Sequence, residues 1–155
     1  MANLEQRVAL VSGGAQGIGK AIAKRFHAVG SSLIVVDTCE AALLELASEL
    51  DRNIITCVAD VSCEVSLETS LAPIIAAHGP VDILVNNAAT VTRRAKITEL
   101  RPDEWERALS VNLTGAFFLS RLVIPQMCDN GGGVILNIAS QLGHVAVEGA
   151  AAYCT

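Results

Sequence analysis

Short apolar runs rich in β-branched residues recur along this chain at positions 8–11, 33–36, 54–58, 83–85 and 134–138. Each reads as a parallel strand buried on both faces, because a strand covered by helices above and below has no polar side to alternate with. Between the runs lie longer stretches with helical spacing. Residues 17–29 place Ile18, Ala21, Ile22, Arg25 and Phe26 at steps of three and four, and 41–50 do the same with Leu43, Leu46, Ala47 and Leu50. A third helix is expected over 64–78, bent or shifted in its start by Pro73. The longest runs over 102–129, with Pro102 in its first turn. Its stretch 116–124 is apolar on more than one face, so more than the sheet should cover it. The order is β-α-β-α-β-α-β-α-β, and right-handed crossovers turn it into an α/β doubly wound parallel sheet of five strands. A further helix and strand are expected after the fifth.

The 155 residues suit a single domain over 1–155, able to bury roughly 68–70% of its unfolded surface. Apolar residues make up 52% of the chain and mean hydropathy is +0.47, which excludes disorder. A net charge of -5 argues against a nucleic-acid surface, which needs clustered cations; the basic pairs Lys24-Arg25 and Arg93-Arg94 read as solvated surface. No unbroken apolar run is long enough to span a bilayer, and the start of the chain has no signal-peptide pattern, so a cytoplasmic protein is expected. The five cysteines are scattered and form no C-x-x-C pair, so they are read as free thiols, with no metal site.

The first strand runs into Ser12-Gly-Gly-Ala-Gln-Gly-Ile-Gly19, which opens the first helix. The spacing is G-x-x-x-G-x-G rather than G-x-G-x-x-G, but the physics is shared. Gly13, Gly17 and Gly19 permit a tight turn and let Gln16 and Ile18 bring backbone close to a pyrophosphate, which then rests on a helix N-terminus. Asp37 follows the second strand, 18 residues beyond Gly19. There a carboxylate can accept hydrogen bonds from the hydroxyls of an adenine ribose, and would repel a 2′-phosphate. No Lys or Arg lies in the loop or just after Asp37 to offset that repulsion, so NAD is expected over NADP. Asp37 also suits a helix cap, which does not exclude the first role.

The remaining landmarks are similar to those of the classical short-chain dehydrogenase/reductase family, and with them the fold is expected to be Rossmann-like. The glycine loop resembles that family's T-G-x-x-x-G-x-G, with Ser12 for threonine. Asp60-Val61 resembles its adenine-contacting pair. Asn86-Asn87-Ala88-Ala89 resembles its N-N-A-G, with Ala89 for glycine; the resemblance implies that Asn86 ties neighbouring strands while Asn87 and Ala88 lie against the cofactor. Asn112 matches a helix asparagine that holds a water. Ser140, and Tyr153 thirteen residues later, match the family's catalytic pair.

The resemblance implies hydride transfer between nicotinamide and a small-molecule alcohol or carbonyl substrate. Tyr153 would be the general acid/base, Ser140 would bond the substrate oxygen, and Asn112 would link the site to solvent. A free tyrosine titrates near pH ~10, about three units above neutrality. The family lowers this with a lysine four residues after the tyrosine, a position that here falls at 157, beyond Thr155. The 155 residues are therefore expected to be an incomplete piece, inactive alone, with an exposed fifth strand; a full-length chain would be a homo-oligomer. A short product that binds NAD or a partner subunit without catalysis is the alternative. A Rossmann methyltransferase would leave Ser140 and Tyr153 unexplained. Segments 90–95 and 141–148 are expected to form one wall of the substrate pocket, whose specificity is not readable.

Overall fold

The computed structural model describes residues 4–50 and 54–155. The expected alternation is present: β1 (Val8–Ser12), α1 (Gly17–Ala28), β2 (Ser32–Asp37), α2 (Glu40–Leu50), β3 (Ile54–Val58), α3 over 64–78, β4 (Ile83–Asn86), α4 over 102–129, β5 (Val134–Asn137) and a short α5 (Ala151–Cys154). All the strand pairs are parallel, in the order β3-β2-β1-β4-β5. This is a Rossmann-like doubly wound sheet. The chain leaves β1 in one direction to build β2 and β3, then returns to β1's other side to build β4 and β5. A crevice opens where the direction reverses, at the C-terminal ends of β1 and β4.

Alternation along the strands divides the core into two layers. Leu10, Ile34, Val36 and Leu84 face α3 and α4, joined by Leu71, Leu119 and Val123. Ala9, Val11, Leu33, Val35 and Val85 face α1 and α2, joined by Ala23, Leu43 and Leu46. The two long helices each contain a π turn, Leu67–Leu71 in α3 and Ser110–Thr114 in α4. Pro73 neither ends nor starts α3. It follows directly on the π turn, in the first turn of Ala72–His78, where the widened ladder accommodates a residue with no N–H.

Burial differs between the strands, and the fifth is exposed as expected. Full burial holds for β1, β2 and most of β4, but β5 is an edge strand whose α1-side residues Val134, Leu136 and Ile138 are 52%, 46% and 43% exposed. β3 is the other edge, with Val58 open. A single-sequence pattern registers apolarity but not position in the sheet, and edges lack a covering neighbour. α4 packs on the sheet by way of Ala108, Val111, Leu119, Val123 and Met127, and its first turns also meet α5, while Leu113, Phe117 and Ile124 are exposed. Averaged over a window, α4 reaches a mean hydropathy of 1.4 and is long enough to cross a membrane. Its buried stripe against the sheet and its Arg107–Asp60 and Arg121–Glu64 ion pairs are those of a core helix.

Candidate active site and cofactor groove

At the β1–α1 turn, Gly13 and Gly17 adopt left-handed backbone, with φ of 60° and 56°. Gly19 is required for a different reason. A Cβ there would stand 2.1 Å from the Gly13 carbonyl oxygen and 2.5 Å from Asn87 Nδ2. That space holds the clasp between β1 and β4: Asn87 Nδ2 donates to the carbonyls of Ser12 and Gly13, both at 3.0 Å, and Ser12 Oγ accepts the N–H groups of Asn87 and Ala88, both at 3.1 Å. The α1 N-terminus carries no acidic residue in its first turn and no side-chain cap from Gln16. Its first N–H groups thus face the crevice as a place for an anion.

Asp37 is 9% exposed and fixed from two sides, Oδ2 accepting from Ala15 N–H and Oδ1 from Cys39 N–H, both at 3.1 Å. The carboxylate therefore links the glycine loop to the start of α2 and retains one accepting position on each oxygen. Asp60 accepts from both the N–H and the hydroxyl of Ser62, and from Arg107. Burial alone would raise its pKa; the Ser62 bonds and the Arg107 guanidinium outweigh that and hold it below the ordinary aspartate value.

A groove of about 440 Å³ brings together Gly13, Gln16, Ile18, Asp37, Asp60, Val61, Asn87 and Ala88, with Thr38, Thr90 and Arg107 at its sides. Ile18, 66% exposed, is an apolar side chain turned into it. Gly17 and Gly19 shape the loop but do not line this groove. A second cavity, of about 540 Å³, holds Asn112, Ser140 and Tyr153. The two share Val61, Ala88, Ala89 and Val111 as a common wall, so they lie side by side.

Within the second cavity each polar residue has an anchor. Asn112, in the π turn of α4, clasps the backbone of Thr90, accepting its N–H at 2.8 Å and donating to its carbonyl at 2.9 Å. One lone pair and one N–H of the amide remain for a water. Ser140 Oγ caps the short turn Gln141–Gly143 through Leu142 N–H. Tyr153 lies in α5, and the two segments flanking it meet where Ala95 N–H donates to the Gly149 carbonyl at 2.9 Å. Of the expected substrate wall, Gly143 borders this cavity and Thr90 borders the cofactor groove. Asn86 ties β4 to β5 through Asn137 Oδ1 at 2.8 Å.

Sequence reasoning missed Arg107 and underrated Ser12. Ser12 was legible as a polar residue ending an apolar strand. Arg107 lies one helical turn before Val111, which marks it as groove-facing once Val111 is placed.

The structure thus joins a groove at the glycine loop to a pocket that holds Ser140 and Tyr153. The model of the short chain dehydrogenase family matches residues 7–155. The chain belongs to that family. It is 40% identical over 140 residues to an uncharacterized oxidoreductase of Thermotoga maritima, covering 88% of this chain and 54% of that protein. It is 38% identical to the D-threitol dehydrogenase of Mycolicibacterium smegmatis, covering 97% of this chain and 59% of that protein. The crystal structure of a 3-ketoacyl-(acyl-carrier-protein) reductase from Brucella melitensis complexed with NADH superposes with a TM-score of 0.90 at 33% identity, over 97% of this chain and 64% of that one. The chain thus spans little more than half of the length of these relatives.

Proposed function

We propose that this chain forms the cofactor-binding portion of an NAD-dependent oxidoreductase that moves a hydride between nicotinamide and an alcohol or carbonyl carbon. The observation that carries this reading is the wall shared by the Asp37 groove and the Ser140–Tyr153 cavity, which supports a dinucleotide in the first lying beside a proton donor in the second. In such an enzyme the cofactor accepts or delivers the hydride. The protein's part is to hold the reactants and to move a proton. The N–H groups opening α1 and the bare backbone of the glycine loop receive the pyrophosphate. Asp37 accepts the adenine ribose hydroxyls, Asp60 and Val61 flank the adenine, and Asn87 and Ala88 lie along the dinucleotide towards the second cavity. Ser140 donates to the substrate oxygen, and Tyr153 exchanges the proton with it.

Asp37 supports NAD over NADP. Its carboxylate has accepting positions left for hydroxyls and none that suits a phosphate, and each hydrogen bond to a charged group is worth about 1.5–3 kcal/mol. The NADH complex of the Brucella melitensis relative is consistent with this choice.

Three features support reading the 155 residues as part of a longer polypeptide. β5 is an apolar edge, α4 is uncovered outside, and the relatives extend well beyond the matched region. On this reading the lysine that lowers the tyrosine's proton affinity lies outside the sequence, and the 155 residues alone have no useful dehydrogenase activity. The full protein is a homo-oligomer.

Calorimetric titration of the purified protein with NAD and NADP tests the cofactor assignment. NAD should bind more tightly. Equal or tighter NADP binding refutes the preference, and binding of neither refutes the dinucleotide groove. The intact mass of the protein from its native source tests the extent of the chain: a mass well above 16.2 kDa is expected.

A further inference from the structure

Arg107 reaches from α4 across 47 residues of sequence to the far side of the cofactor groove. Its Nη1 donates at once to Asp60 Oδ2 at 3.1 Å and to Ser62 Oγ at 2.9 Å. The Ser62 hydroxyl in turn donates a hydrogen bond to Asp60 Oδ1 at 2.6 Å, and the Ser62 N–H donates to the same oxygen at 2.9 Å. The backbone of Asp60 is anchored as well, its N–H donating to Ser66 Oγ at 3.2 Å. An ionised carboxylate offers about four accepting positions, two on each oxygen. Oδ1 has both filled by Ser62. Oδ2 has one filled by Arg107, so one accepting position is left, on the oxygen that the guanidinium holds.

We propose that Arg107 is a positioning residue that aims the remaining lone pair of Asp60 Oδ2 at the exocyclic amino group of the cofactor's purine, making the groove selective for adenine over a 6-oxopurine. The proposal rests on the reading above that the groove takes a dinucleotide with its adenine against Asp60. The chemistry of discrimination is direct. An amino group is a donor and completes the Asp60 acceptor, whereas an oxo group presents lone pairs to an anionic oxygen. That contrast works only while Oδ2 is held in place. The chain from Arg107 through Ser62 to Asp60 does this from two directions, and each bond in such a chain polarises the next.

The test compares NAD with nicotinamide hypoxanthine dinucleotide, titrated into the purified wild-type protein and three variants. The wild type should prefer NAD. Arg107→Ala should lower that preference about tenfold, equivalent to about 1.4 kcal/mol. Arg107→Lys should keep most of it, since both bonds converge on a single nitrogen that an ammonium can replace. Arg121→Ala, which breaks a comparable ion pair with Glu64 on the same helix, should leave it unchanged. Thermal melts of the variants establish that each is folded, as expected for a side chain that is 52% exposed. An unchanged preference in Arg107→Ala overturns the proposal. So does an equal loss of affinity for both dinucleotides, which would make Arg107 merely structural. Absence of any NAD binding by the wild type removes the reading of the groove itself, and the proposal with it.

Discussion

Replacing Gly19 with alanine sets two opposed effects against each other. Alanine is favoured over glycine inside a helix by about 1 kcal/mol, so an exposed helical site would gain. At Gly19 the added methyl meets the Gly13 carbonyl oxygen at 2.1 Å and Asn87 Nδ2 at 2.5 Å, and the first of these is backbone. Neither atom can yield by rotating a flexible tail. Relief requires α1 to move away from the glycine loop or Asn87 to leave its two carbonyl partners. Loss of those two bonds costs about 1–3 kcal/mol together, and overpacking of a tight site adds about 1–3 kcal/mol. The clash therefore wins, with a net destabilisation of about 1–5 kcal/mol after the helix gain. For a domain of this size that is a Tm lower by several degrees, at about 2–4 °C per kcal/mol. NAD affinity should fall as well, because the same movement carries the α1 N–H groups away from the crevice. Differential scanning calorimetry and NAD titration read the two effects. Gly143→Ala, where a Cβ meets nothing within 4 Å, is the control and should be near neutral. A Gly19→Ala protein with wild-type Tm and wild-type NAD affinity would refute the close-approach argument.

Two other substitutions separate the parts of the crevice, and a third tests an ion pair between α1 and α2. Asp37→Asn keeps one accepting atom of two, so either Ala15 or Cys39 loses its partner; the NAD:NADP affinity ratio should fall about 10–100-fold, and a ratio that holds would sink the assignment of Asp37 to the ribose. Asn112→Ala removes both bonds to Thr90 and should cost about 1–3 kcal/mol, with faster amide exchange at Thr90 as the local signature; protected exchange there would show the clasp to be dispensable. The Glu49 carboxyl, bonded by Lys24 and then Lys20, is lowered to about 2. A depressed carboxyl stabilises the fold above its unfolded pKa and loses that contribution as pH falls through its folded pKa. Wild type and Glu49→Gln should thus differ slightly in urea midpoint at neutral pH, less at high salt, and converge towards pH 2; a difference that grows on acidification would reverse the sign.

The parts of this molecule legible from sequence are those fixed by local chemistry. Strand runs, helical spacing and the glycine loop each follow from a few neighbouring residues, and their junctions place Asp37, Asp60 and Asn87 at strand ends without further information. The exposure expected for β5 could not come from its composition, because an edge strand and a central strand of a parallel sheet are equally apolar; the difference lies in neighbours contributed by other segments. The π turn that carries Asn112 has no sequence signal of its own. Arg107 was missed because its partner Asp60 is distant in sequence, and surface ion pairs leave no periodic trace.

The two halves of the crevice differ in how they are held, and this orders what each needs in order to work. The cofactor half is locked by bonds among β1, β2 and β4: Ser12 and Asn87 clasp two strands, Asp37 clasps the loop to α2, and the strands beneath are buried on both faces. The half with Ser140 and Tyr153 hangs from β5, whose outer residues are open to solvent, and from α5, whose four residues make a single turn. Ser140 and Tyr153 are joined to the rest by the β4–β5 ladder with Asn86–Asn137, by Ala95–Gly149 between loops, and by the contact of α5 with the first turns of α4. Positions so lightly tied open more easily than the global fold. On the proposed function, cofactor binding and proton transfer should therefore separate experimentally, with binding the less sensitive of the two to changes at β5 and α5.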